Sequence, residues 1–258
     1  GPSQEIRKEV FLKAPGKGTA VMAFAYYTRA KGGNMISIEQ RWTRSDTIDI
    51  AYYRASTDYG RTWSAPVPRA TGEKRPEGML RRHLRGGWIH PQSGKYIEFW
   101  TEGLLPTDNP LEGMRQWAVH YSVDGGEKRQ IVQKGHTAAS PLTGVTIGRN
   151  SFMLGDNTCL PLALRDGTIL LPVQITPVNP DGTLYNPAGA YTYHDAAVLR
   201  GRLRGNAIEW ELASRIAGDP QRTTRGLVEP TLAVLRGGRI LMVMRGSNDK
   251  RYELPSYR

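Results

Sequence analysis

The sequence predicts an all-β fold of repeated antiparallel blades, on three observations. An eight-residue turn motif stands at 56–63, a glycine-led strand recurs at roughly seventy-residue intervals, and no stretch carries a convincing amphipathic helical pattern. Short apolar runs bounded by Gly and Pro suit strands, because those residues punctuate chains at turns. Helix content is expected to be low.

The motif reads Ser56-Thr57-Asp58-Tyr59-Gly60-Arg61-Thr62-Trp63. Asp58 and Ser56 can hydrogen-bond turn backbone, Gly60 can take positive φ, and Trp63 can pack between neighbouring blades. A worn version follows at Tyr121-Ser122-Val123-Asp124-Gly125-Gly126, and a third unit keeps only the tryptophan of Ile208-Glu209-Trp210-Glu211-Leu212.

The recurring strand begins after the last glycine of a turn, at Gly18, Gly94, Gly167 and Gly238. Apolar residues follow each time: Val21-Met22-Ala23-Phe24, Ile97-Glu98-Phe99-Trp100, Ile169-Leu170-Leu171-Pro172-Val173 and Ile240-Leu241-Met242-Val243-Met244. This count predicts three full units and the opening strand of a fourth, about three and a half blades. An open half-propeller would expose blade edges, so a longer polypeptide or a second segment is expected to complete the ring.

Composition narrows the function classes. At 39% apolar the chain can bury a sizeable core, and it has no run of 18 apolar residues, so no membrane span is expected. A single cysteine, Cys159, makes no internal disulfide and reads as a small buried hydrophobe. Gly1-Pro2-Ser3 resembles the scar of a cleaved tag, which sets the predicted domain at 4–258; a secreted or periplasmic location is expected. Formal net charge is +11, with basic clusters at Arg81-Arg82-His83 plus Arg85 and at Arg200, Arg202 and Arg204. Such a balance attracts polyanions. Nucleic acid is not expected, for want of any recognition-helix, zinc-finger or RNA-binding pattern; an acidic oligosaccharide or polysaccharide fits better. The five histidines, His83, His90, His120, His136 and His194, show no metal-ligand spacing, and Walker, dinucleotide and G-x-S-x-G motifs are missing. No cofactor or metal is expected. Carboxylate, arginine, tyrosine and histidine chemistry remains.

The octapeptide and its echoes resemble the Asp box of sialidase-type β-propellers. That resemblance implies a six-bladed propeller of four-stranded antiparallel blades. It also implies an exo-acting glycoside hydrolase that removes a terminal sialic-acid-like sugar. In such enzymes an early arginine opens the first blade, matched here by Arg7, and a loop Asp ahead of the Asp box serves as acid and base. Asp46, ten residues before Ser56, fits that spacing, with Asp49 as the alternative. The stretch Arg225-Gly226-Leu227-Val228-Glu229-Pro230-Thr231 through Met244-Arg245-Gly246-Ser247 resembles the family's E-P strand, turn and following strand that ends in Arg. By resemblance, Glu229 polarises a nucleophilic tyrosine and Arg245 binds the substrate carboxylate. A phenol nucleophile avoids the repulsion a carboxylate would meet at an acidic sugar. Tyr252 and Tyr257 stand too near Arg245 for that role, which places the nucleophile beyond Arg258.

Similar propellers host rhamnosidases and lyases on acidic sugars that use His or Tyr with Arg. Against that pattern the chain offers His90, His120 and the neighbours His194-Asp195, since a His-Asp pair can act as general base. His194, Asp195 and Asp156 are expected near the pocket, because they fall in the third unit close to where inner strands begin. A non-catalytic carbohydrate-binding propeller is the third alternative.

Overall fold

In the computed structural model, residues 6, 8–43, 50–109, 115–131, 152–155, 159–177, 179, 181 and 183–249 are described. Among them there is no helix, and the strands form four antiparallel sheets. The first sheet runs in simple order through β1 (Ala20–Tyr27), β2 (Met35–Trp42), β3 (Ile50–Ser56) and β4 (Val67–Arg69). The second follows the same meander through β5 (Gly72–Arg75), β6 (Gly78–Ile89), β7 (Tyr96–Leu105), β8 (Arg115–Val123) and β9 (Arg129–Gln130). In the third, β10 (Phe152–Met153) and β11 (Leu162–Ala163) both pair with β12 (Ile169–Ile175), which leads to β13 (Asp195–Arg204) and β14 (Ala207–Ile216). The fourth is the hairpin of β15 (Leu227–Val234) and β16 (Ile240–Gly246).

Three of the predicted glycine-led turns close hairpins as expected. The His90 N–H meets the Lys95 carbonyl at 2.9 Å, Leu164 meets Thr168 at 2.8 Å, and Leu235 meets Arg239 at 2.7 Å. The first copy is out of phase. The turn at Gly18 precedes β1, the edge strand of its sheet, whereas the equivalent hairpin closes later, between Thr28 and Asn34 at 3.0 Å. The motif at 56–63 confirms this phase, since the Tyr59 N–H binds the Gly33 carbonyl at 3.0 Å. Its worn copy does the same one sheet on, where the Asp124 N–H binds the Tyr96 carbonyl at 2.7 Å.

Inside the motif, one oxygen of Asp58 accepts from Ser56 Oγ at 2.8 Å and the Thr62 N–H at 2.9 Å, and the other from Thr62 Oγ1 at 2.6 Å. Gly60 adopts φ 79°, which its lack of a Cβ permits. Trp63 packs on Phe11, ring centroids 5.7 Å apart, so it pins the segment ahead of β1 where the sequence predicts a neighbouring blade.

The core lies between the second and third sheets. Ile97 and Phe99 of β7 and Val119, Tyr121 and Val123 of β8 face Ile169, Leu171, Val173 and Ile175 of β12, with Ala197, Leu199 and Trp210 behind them. β12 is buried along its whole length, so it reads as a continuous apolar run rather than an alternating one. Pro172 sits in its middle without breaking the sheet. β11 pairs at Ile169 and Leu170, and β10 at Gln174 and Ile175. Pro172 falls in the interval, where a missing N–H costs that side no ladder bond.

Hydrogen bonds from Thr62 and Ser56 hold the Asp58 carboxyl down at about 2, against an ordinary 3.8. A depressed carboxyl stabilises the fold above the unfolded value, and that contribution is lost as pH falls through the folded one. Asp58→Asn is therefore expected to lower the melting temperature at neutral pH. Its deficit relative to the parent should shrink between about pH 4 and pH 2, as followed by thermal denaturation across that range.

A candidate active site lined by arginine and histidine

A cavity of about 330 Å³ opens where the second, third and fourth sheets meet. His83 and Arg85 reach it from β6, Gln174 from β12, Glu229 and Arg245 from β15 and β16, and Tyr191, His194 and Arg225 from the segments leading into β13 and β15.

Two of the charged side chains stand on β-bulges. On β6, Leu84 pairs with Trp100 and Gly86 with Phe99, leaving Arg85 as the extra residue. On β15, Val228 pairs with Arg245 and Thr231 with Val243, so Glu229 and Pro230 share one partner position. A bulge bends its strand and re-aims the side chain it carries. Glu229 also holds φ 54°, a left-handed conformation that costs a residue with a Cβ about 1 kcal/mol. Its surroundings enforce that geometry. Gln174 Oε1 accepts the Glu229 N–H at 2.8 Å, and Gly155 lies so close that a Cβ there would stand 2.4 Å from the Glu229 Cα. The Glu229 carboxylate then faces the Arg245 guanidinium at 3.4 Å, with both side chains part-exposed to the cavity.

A backbone staple brings the third and fourth sheets together. The His194 N–H donates to the Arg225 carbonyl at 3.1 Å, and the Leu227 N–H to the His194 carbonyl at 2.8 Å, making a parallel bridge to Gly226. Only glycine fits at 226. Its φ is 67°, and a Cβ would stand 2.0 Å from the His194 carbonyl oxygen.

His194 is fully buried, with Nδ1 3.1 Å from Thr176 Oγ1 and with Nε2 unbonded among the described residues. Arg225 donates from Nη2 to Thr192 Oγ1 at 3.0 Å and lies over the Tyr191 ring at 5.3 Å. Asp249 ties this corner down, accepting from Thr224 Oγ1 at 2.8 Å and from the Tyr191 N–H at 3.3 Å. Burial, and then the charge of Arg225, pushes His194 down to about 3; burial, Arg85 and Arg81 push His83 to about 3 as well. Both imidazoles are therefore neutral across the ordinary pH range, while three guanidiniums face a single carboxylate in the lining.

Of the residues singled out from sequence, Glu229, Arg245 and His194 line this cavity together. Asp195 does not. It follows His194 by one residue, so its side chain leaves on the opposite side, where it pairs with Arg215 and accepts the Gly218 N–H at 2.8 Å beside a different cavity. The expected His194-Asp195 dyad is thus divided by strand alternation. His90 binds Ser93 Oγ at 2.7 Å and the Gly167 carbonyl at 2.8 Å, a joint between two hairpin turns, and His120 stacks on Trp100 away from the cavity. Arg7, Asp46, Asp49, Asp156, Tyr252 and Tyr257 lie outside the described residues. His83, Arg85, Tyr191 and Arg225 escaped the sequence reading as site residues. The i, i+2 spacing of His83 and Arg85, which puts strand residues on one face, was the available signal.

No protein-family model matches the sequence, and no curated protein matches it. Solved structures do share the fold. A protein of unknown function from Dyadobacter fermentans DSM 18053 superposes with a TM-score of 0.52 at 12% identity, over 91% of this chain and 64% of that one. An ulvan lyase from a new family of polysaccharide lyases superposes with a TM-score of 0.50 at 14% identity, over 88% of this chain and 50% of that one. The same figures hold for an ulvan lyase structure bound to -[GlcA(1-4)Rha3S]-. The chain thus spans between half and two thirds of the length of these proteins, and at such identities the likeness is one of fold.

Because the unfolded chain takes protons near 6.5 where buried His83 and His194 do not, stability is expected to fall as pH drops below about 6.5 towards 3. Urea unfolding at stepped pH checks this, and His194→Gln should remove part of the slope.

Proposed function

We propose that this cavity is the catalytic pocket of an enzyme acting on uronate-containing glycans, and that its reaction is elimination. The observation that carries the reading is the convergence of Arg85, Arg225 and Arg245 with two neutral histidines in one cavity. The sheets are read as blades of a larger propeller of the sialidase-like type, as the motif at 56–63 implies. The shared fold of an ulvan lyase, one structure of which is bound to -[GlcA(1-4)Rha3S]-, supports the substrate class.

The chemistry follows from those residues. Forked hydrogen bonds from arginine neutralise the uronate carboxylate, which acidifies the proton on the adjacent ring carbon. In the tautomer that places the ring proton on Nδ1, toward Thr176 Oγ1, His194 takes the proton from carbon on Nε2, which has no hydrogen-bond partner among the described residues. The electron pair left on carbon forms a ring double bond as the bond to the neighbouring glycosidic oxygen breaks. Tyr191 gives the departing oxygen a proton. Burial, and then the Arg225 charge, makes His194 a weak base; a bound carboxylate offsets the second of these, so basicity rises when substrate arrives.

The pairing of Glu229 with Arg245 favours a second reading, hydrolysis of sialidase type with Asp46 as acid and base and Glu229 activating a tyrosine. The two separate by product. Uronate polysaccharides incubated with the protein are expected to gain the ultraviolet band of unsaturated uronates, and His194→Ala should lower that rate by about 10²–10⁴-fold. New reducing ends without the band, lost in Glu229→Gln and kept in His194→Ala, would replace elimination with hydrolysis.

A further inference from the structure

We propose a second binding site, for an anionic sugar unit, in the cleft between the first and second sheets. It is separate from the catalytic pocket and does not depend on the elimination reading. The cleft encloses about 390 Å³ and is lined by Tyr53, Arg69, Arg82, Glu98, Trp100 and Lys128. Alternation along β6 builds both sites: His83 and Arg85 enter the catalytic cavity, while Arg82 and Leu84 enter this one.

Trp100 gives the cleft a fixed aromatic wall. Its indole N–H donates to Glu102 at 2.9 Å, and its ring stacks on His120 with centroids 6.0 Å apart, so neither its tilt nor its rotation is free. Such a platform suits the apolar C–H face of a sugar ring. The charge around it is unbalanced. Glu102 is nearly buried and takes Arg82 at 3.0 Å and Lys128 at 3.1 Å, one carboxylate for two cations. Glu98 accepts from the Tyr96 hydroxyl at 2.7 Å. Arg69 makes no ion pair among the described residues and lies over the Tyr53 ring at 4.6 Å, its planar face occupied and its N–H edge available. A carboxylate or sulfate ester on a ring stacked against Trp100 would meet Arg69 and Lys128.

Titration of the Arg225→Ala protein, whose catalytic pocket is disabled, tests the proposal by tryptophan fluorescence. The probes are an oligogalacturonate, a sulfated galactan oligosaccharide and a neutral galactan oligosaccharide. A saturable change is expected with at least one anionic probe and none with the neutral one; the responding probe identifies carboxylate or sulfate as the recognised group. Adding Arg69→Ala and Lys128→Ala, both solvent-facing truncations, should weaken binding by about tenfold or more. Trp100→Phe should remove the fluorescence change while calorimetry still detects heat. Equal response to the neutral probe, or affinity unchanged by the double truncation, would overturn the site. Loss of elimination activity elsewhere would leave these results unaffected, so the two readings fail separately.

Discussion

Everything at the candidate site depends on the backbone bridge between His194 and Gly226. Two main-chain hydrogen bonds hold the entrance of β13 against the entrance of β15, and they exist because residue 226 has no Cβ to strike the His194 carbonyl. That contact fixes His194 on one sheet beside Arg225 on the next. It also places the following bulge, hence Glu229 and its partner Arg245, over the same opening. A side chain at 226 would separate the sheets and scatter the groups, although each strand could still form.

The electrostatics follow from that enforced proximity. Arginines remain charged under all working conditions, so a histidine buried among them yields its proton instead. The result is a cavity with fixed positive charge and neutral nitrogen bases, the inverse of a carboxylate-lined site. Strain serves the same end: Glu229 is held in a left-handed conformation by Gln174 and by the bare face of Gly155, so its carboxylate is aimed before any ligand arrives. The bulge at Glu229 achieves by local irregularity what regular pleating cannot, turning a charged side chain into the same cavity as its neighbour Val228.

Much of the architecture was legible because it is written locally. A tight hairpin needs glycine within a few residues of its apolar strand, so the turns before β7, β12 and β16 could be read directly. The first turn misled because Gly16 and Gly18 also precede an apolar strand, and only the pairing of Tyr59 with Gly33 reveals which hairpin is equivalent. Trp63 was read as an inter-blade residue, yet its partner Phe11 lies in a segment without periodic pattern. Sites assemble from distant segments, and sequence reading is weaker there. Glu229 and Arg245 were found because one hairpin carries both. His194 and Asp195 were read as a pair because they are adjacent, but adjacency on a strand means opposite faces. Arg85 and His83 read from sequence as part of a basic cluster, since nothing in the chain announces that β6 lines the same cavity as the fourth sheet.

The central claim is that the arginines of this cavity recognise a sugar carboxylate. Calorimetric titration with a uronate oligosaccharide and with the same oligosaccharide reduced at its carboxyl groups tests it most directly, using the Arg69→Ala, Lys128→Ala protein so that only this cavity is read. Saturable binding of the acid is expected, with affinity for the reduced form lower by about tenfold or more. Equal affinity for the two would contradict it.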